Sequence, residues 1–143
     1  MKINDIMTPA PICCAPDTPL DAVSKLMLEH DCGEIPVCDG GKLAGVITDR
    51  DIAVRGFTTG RNPLDTPVSA VMTKRPLSIG ENADLVEALE LMEEHQVRRL
   101  PVTRDGKVVG IVSQADLVQA LPERKMVELL RAVSRRPLVV AHS

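Results

Sequence analysis

Two short segments, Gly45-Val46-Ile47-Thr48-Asp49-Arg50-Asp51 and Gly110-Ile111-Val112-Ser113-Gln114-Ala115-Asp116, carry the most chemistry in this 143-residue sequence. In each, an apolar run ends in Thr or Ser, and Asp follows three residues later. That spacing predicts a strand running into a helix, with Thr48 and Ser113 as N-caps and Asp51 and Asp116 closing a capping box. The same geometry has a second use. Free amides and a hydroxyl at a helix start suit a phosphate, and the nearby carboxylate can accept both hydrogen bonds of a ribose diol. Capping alone explains one such motif, so the case for a site depends on what surrounds the pair.

What surrounds them is a repeat. Residues 6–56 lie over residues 71–121 without a gap at an offset of 65, and 14 of the 51 columns are identical. They include Met7/Met72, Thr8/Thr73, Pro11/Pro76, Met27/Met92, His30/His95, Pro36/Pro101, Gly45/Gly110 and Asp51/Asp116. Unrelated sequences of average composition would share about three or four. Other columns exchange like for like, as in Ile35/Leu100 and Thr48/Ser113, so one structural unit is used twice.

Each unit reads the same way. A short strand near Ile12 to Cys14 precedes a helix started by Thr18-Pro19, with Leu20, Val23 and Met27 on one face. Its second copy places Leu85, Ala88, Leu89 and Met92 at i, i+3, i+4 and i+7, a stripe that packing alone accounts for. Strands Ile35 to Cys38 and Leu43 to Thr48 are joined by Asp39-Gly40-Gly41-Lys42, and Leu100 to Thr103 and Val108 to Ser113 by Arg104-Asp105-Gly106-Lys107. Closing helices begin at Asp49 and Gln114. Thr58 to Pro63 is a turn-rich linker, and Glu123 to Ser134 reads as an added helix after Pro122. The expected fold is mixed α/β (α+β), each repeat running strand-helix-strand-strand-helix. Residues 1–65 form the first repeat with its linker, 66–121 the second, and 122–143 a C-terminal helix and tail.

Composition narrows the function. Hydrophobic residues are 44% and charged residues 26%, which suits a folded domain. The net charge is −3 and Phe57 is the one aromatic residue, so both the basic surface and the stacking platform of nucleic-acid binders are missing. No apolar run approaches the roughly 20 residues of a membrane span, and the start lacks a signal-peptide core. A cytoplasmic protein without nucleic-acid or membrane partners is expected. No catalytic triad or paired-carboxylate spacing is evident, so an enzyme is not expected.

Taken together, the M-T near each start, the h-P-V after each first helix and the G-h-h-T/S-x-x-D at each end resemble a CBS-domain pair over residues 5–121. The linker and trailing helix are similar to the stand-alone pairs of the hypoxic response protein subgroup. The resemblance implies two units related by a pseudo-twofold axis, with clefts between them that take AMP, ADP, ATP or another adenosyl compound, and association into a homodimer. It implies a regulatory module with no required cofactor and an unidentified regulated partner. Asp51 and Asp116 would hold ribose hydroxyls, Thr48 and Ser113 would contact ribose or phosphate, and Thr8 and Thr73 would lie near the base. Residues near Ile35 and Leu100 would wall the adenine.

Arg50, Arg98 and Arg99 are candidate phosphate partners because a guanidinium fork matches phosphate oxygens. Ala115 stands where the first copy has Arg50, so the two sites are expected to be unequal. The four cysteines, Cys13, Cys14, Cys32 and Cys38, form no CxxC pair. Cys13 and Cys38 would be neighbours across the sheet, as small buried hydrophobes or as a redox pair. His30 and His95 end the two helices; with Cys32 nearby their spacing is poor for zinc, and no metal is expected. The alternative to a ligand-binding module is a ligand-free, stress- or redox-responsive dimeric interaction protein.

Overall fold

The computed structural model describes residues 1–9, 11–58, 60–74 and 76–134; Thr59 of the linker and the tail beyond Ser134 lie outside the described residues. The first repeat contributes α1 (Ile3–Ile6), β1 (Thr8–Pro9), α2 (Leu20–His30), β2 (Glu34–Asp39), β3 (Lys42–Thr48) and α3 (Asp49–Asp51), which continues as a π-helical turn, Ile52–Gly56. After a 3-10 turn at Val68–Ala70 come β4 (Thr73–Lys74), β5 (Ile79–Gly80), α4 (Leu85–His95), β6 (Arg99–Arg104), β7 (Lys107–Ser113), α5 (Gln114–Ala120) and α6 (Glu123–Ser134).

The hairpins follow from their turns. Gly40 and Gly41 have φ of 58° and 87°, and Asp105 and Gly106 have 52° and 80°. Two consecutive positive φ values match the twist of the flanking strands, so β2 pairs with β3 and β6 with β7 in the same antiparallel register. Glu34 faces Thr48 as Arg99 faces Ser113. The two hairpins meet at Lys42 and Lys107, equivalent residues paired with each other across the pseudo-twofold axis. The bonds there are reciprocal, Leu43 N to Gly106 O and Val108 N to Gly41 O, each 3.1 Å.

Leading segments cross over. β1 pairs with β7, Thr8 opposite Ile111, and β4 pairs with β3, Thr73 opposite Val46. Correspondingly, Ile3 is buried in the core of Leu85, Ala88, Leu89, Met92, Leu100, Val102, Val112 and Leu117, and its counterpart Val68 in that of Leu20, Val23, Met27, Ile35, Val37 and Ile47. Each such side chain contributes roughly 1.5–3 kcal/mol on burial. This exchange delivers Thr8 to the second repeat's T/S-x-x-D motif and Thr73 to the first's.

Three local features differ from expectation. Helix α2 starts at Leu20 with Pro19 as its N-cap, because the Thr18 hydroxyl accepts instead from Ala15 N at 3.0 Å. The strand expected near Ile12 to Cys14 is an isolated parallel bridge between Cys14 and Val37. The first closing helix gives one turn and then widens into the π-helical turn, whereas α5 is regular over seven residues. Helix α6 and the amphipathic stripes of α2 and α4 form where the periodicity puts them.

Candidate functional site

Both T/S-x-x-D motifs form complete capping boxes. Asp51 N donates to Thr48 Oγ1 and Thr48 N to Asp51 Oδ2, both at 3.0 Å. Asp116 N donates to Ser113 Oγ at 3.1 Å and Ser113 N to Asp116 Oδ2 at 2.9 Å. Capping thus uses one carboxylate oxygen of each aspartate and leaves Oδ1. In the second repeat Asp116 Oδ1 has no partner among the described residues. In the first, Arg55 Nη2 donates to Asp51 Oδ1 at 2.9 Å and to Thr73 Oγ1 at 3.3 Å.

A cleft of about 320 Å³ opens beside Asp116, within the size range of small-molecule sites. Ser113 and Asp116 form one wall and Thr8 comes in on the crossing strand. Pro11, Ile12 and Ile111 line it with apolar surface, while His30, Asp31 and Cys32 enter from the end of α2. Glu34 and Arg99, equivalent residues of the two repeats, supply an acid and a base to the same cleft. The structure therefore brings together Thr8, Ser113, Asp116 and Arg99. Thr48, Asp51 and Thr73 form a separate group around Arg55. Arg50 and Arg98 do not line the cleft; the Arg98 carbonyl accepts from Gln114 N at 2.7 Å at the start of α5. Ile35 and Leu100 are buried in the two cores.

Glu34 was not among the residues picked from sequence, although its equivalence to Arg99 was the available signal. Burial, its first cause, holds the Glu34 carboxyl above the ordinary carboxylate range; Arg99 opposes the shift and the charge of Asp51 adds to it. The folded state therefore holds this proton more tightly than the unfolded chain, and raising the pH through the folded pKa charges the cleft negatively at a cost in stability. An anionic ligand should bind more tightly as pH falls from neutrality toward the carboxylate range. Titrating one phosphate-bearing ligand against wild type and Glu34→Gln in parallel cancels the phosphate's own ionisation. The variant should bind several-fold tighter at neutral pH, the effect of roughly 1 kcal/mol of repulsion removed, and the advantage should vanish on acidification.

The cysteines are all free. Cys13 is exposed and its Sγ contacts Pro11 O at 3.6 Å. Burial first, and the neighbouring Cys13 second, push the Cys38 thiol up to about 12, so Cys38 is protonated near neutral pH; Cys38 N donates to Cys14 O at 2.8 Å, which brings the two segments side by side. His30 and His95 are the exposed last residues of α2 and α4. The helix ends are satisfied by backbone, Asp31 N to Met27 O and Gln96 N to Met92 O, with Asp31 and Gln96 left-handed.

Comparison with known proteins agrees with this architecture. The CBS domain family matches residues 3–55 and 68–123. The chain is 38% identical over 131 residues to Hypoxic response protein 1 of Mycobacterium tuberculosis, covering 91% of this chain and 92% of that protein. It is 41% identical over 116 residues to the CBS domain-containing protein YhcV of Bacillus subtilis, covering 81% and 82%. The crystal structure of Hypoxic Response Protein I with two coordinated zinc ions superposes with a TM-score of 0.79 at 37% identity, over 85% of this chain and all of that one. CBSX2 in complex with AMP superposes with a TM-score of 0.73 at 29% identity, over 89% and 98%.

Among the described residues no three His, Cys, Asp or Glu side chains are grouped to hold a metal ion. Nor is any described helix long and apolar enough to cross a membrane. CBS-domain proteins are generally regulatory rather than catalytic modules, and no catalytic family is indicated. Two equivalent hairpins meeting on a pseudo-twofold axis, exchanged leading strands and a duplicated T/S-x-x-D motif identify the chain as a member of the CBS domain family, a tandem pair of CBS domains.

Proposed function

We propose that this CBS pair is a non-catalytic cytoplasmic regulatory module that takes an adenine nucleotide or related adenosyl ligand in the cleft of Thr8, Ser113, Asp116 and Arg99. The observation that carries the reading is the uncommitted Oδ1 of Asp116 at a cleft that Arg99 also lines. Asp116 accepts the ribose hydroxyls, Ser113 and Thr8 contact ribose or base, Pro11, Ile12 and Ile111 cover the adenine, and Arg99 takes the phosphate. The AMP bound by the relative CBSX2 supports this ligand class. Because the cleft lies between the repeats, occupancy favours one relative pose and alters the surface a regulated partner meets. Isothermal titration with AMP, ADP, ATP and S-adenosylmethionine tests it. Saturable binding of at least one of them, weakened by Arg99→Ala for the phosphorylated ligands, is the expected result; absence of binding by all four would sink it.

The module works as a homodimer in this reading, through the face of α2 and the π-helical turn. There Leu28 is 84% and Phe57 62% exposed beside a groove of about 490 Å³ that Met27, Ile52 and Ala53 also line. Apolar side chains this exposed and this close together mark an interaction surface. Leu28→Glu should halve the mass measured by light scattering while leaving the melting curve of the chain cooperative; an unchanged mass would rule this face out.

A second reading, a redox-responsive dimeric protein without ligand, is favoured by the placement of the exposed Cys13 next to Cys14, whose carbonyl accepts from Cys38 N at 2.8 Å. The exposed Cys13 thiolate would attack diamide, and Cys38 would displace the adduct to close the disulfide while diamide leaves reduced to its hydrazine. Treatment with diamide should then remove two hydrogens from the chain by mass spectrometry in wild type and not in Cys38→Ser.

A further inference from the structure

The two T/S-x-x-D sites are copies in sequence but not in state. At the first, the Asp51 oxygen left over from capping accepts from Arg55 at 2.9 Å, and the same guanidinium nitrogen donates to Thr73 Oγ1 at 3.3 Å. Arg55 thereby joins the two residues, one from each repeat, that correspond to Asp116 and Thr8 at the open cleft. The Asp51 side chain is left 12% exposed beneath an Arg55 side chain that is 50% exposed. The position equivalent to Arg55 in the second repeat is Ala120, which has no arm to extend. The backbone differs too: Arg55 rides on the π-helical turn Ile52–Gly56, where α5 is regular.

We propose that Arg55 is an internal plug that occupies the ribose position of the first-repeat site, so that the chain takes one adenosyl ligand, at Asp116, rather than two. The inference rests on the reading of the Asp116 cleft given above and adds which of the two sites is used. A ribose hydroxyl is a neutral donor. To reach Asp51 it must displace a charge-assisted bond whose donor is tethered four residues away and therefore always present at high local concentration. The guanidinium must also vacate the volume between Asp51 and Thr73. At Asp116 the ligand meets neither obstacle. Arg55 is thus a specificity-determining residue of the pair, and sequence conservation of both T/S-x-x-D motifs within the chain does not translate into two working sites.

The test is AMP stoichiometry by isothermal titration on the full chain. Wild type should bind one AMP per chain, and Arg55→Ala, which installs the residue found at the equivalent position, should bind two. Arg55→Gln, polar but neutral and two bonds shorter, should also bind two and guards against a folding defect in the alanine variant. Arg55→Ala combined with Asp116→Asn should return to one, now at Asp51. Two AMP per wild-type chain would overturn the plug while leaving the proposed function intact, as would a single AMP in folded Arg55→Ala and Arg55→Gln. No AMP, ADP, ATP or S-adenosylmethionine bound by wild type or either variant would overturn the functional reading and the plug with it.

Discussion

AMP at about a hundred times its dissociation constant should raise the melting temperature of the wild-type chain by roughly 9 °C, and Asp116→Asn should erase nearly all of that rise. A ligand that binds only the folded state at this concentration stabilises it by about 2.7 kcal/mol, and a chain of this length loses on the order of 0.3 kcal/mol of stability per degree near its midpoint. Asparagine keeps the size of Asp116 and an oxygen to accept from Ser113 N, so the capping box persists. What disappears is the negative charge that makes the ribose bonds strong. Hydrogen bonds to charged groups contribute about 1.5–3 kcal/mol each, and losing the charge-assisted part of two should weaken AMP about 100-fold. A thermal-shift titration reads this directly; an undiminished shift in Asp116→Asn would place the ligand elsewhere.

Gly110→Ala should both destabilise the chain and impair the cleft, whereas Gly45→Ala should only destabilise it. Both glycines lie where a leading strand crosses the other repeat's hairpin. A Cβ on Gly110 would stand 2.9 Å from the Thr8 carbonyl oxygen, and one on Gly45 would stand 2.8 Å from that of Thr73, with a methionine, Met7 or Met72, against each. Real Cβ atoms do not approach backbone so closely, and overpacking of this kind costs about 1–3 kcal/mol. The stability losses should therefore be similar, since the crossings are equivalent. Binding separates them. Displacing β1 moves Thr8, and with it Pro11 and Ile12, out of the open cleft, so Gly110→Ala should weaken AMP by about tenfold, or 1.4 kcal/mol. Displacing β4 disturbs only the site held by Arg55. Equal loss of AMP affinity in the two variants would contradict the assignment of the ligand to the Asp116 cleft.

The repeat made most of the fold legible. Fourteen identities at one offset fix that the hairpins and amphipathic helices come twice, and turn chemistry at Gly40-Gly41 and Asp105-Gly106 fixes their register. The capping boxes were legible for the same reason, because Thr48, Asp51, Ser113 and Asp116 act within three residues of chain. What local pattern does not encode is the crossing of β1 and β4 into the opposite repeat. Two-residue strands such as Thr8–Pro9 carry no periodicity, and their pairing is decided by where Ile3 and Val68 are buried. Glu34 and Arg99 escaped joint notice because they are 65 residues apart and meet only on the pseudo-twofold axis. Arg50 drew attention within the motif, yet Arg55, four residues beyond Asp51, holds the carboxylate. Asp51 and Arg55 stand at i, i+4, the ordinary ion-pair spacing on a helix, so the pair itself was legible; the π-helical turn that carries Arg55 was not, because nothing in Ile52-Ala53-Val54-Arg55-Gly56 distinguishes it from an ordinary helix.

A crystal structure of the wild-type chain soaked in AMP would show whether the second-repeat cleft or its twin holds the nucleotide. The expected result is ribose hydroxyls on Asp116 Oδ1, the phosphate on Arg99 and the Arg55–Asp51 pair still closed. AMP seated against Thr48 and Asp51 with the Asp116 cleft empty would contradict it.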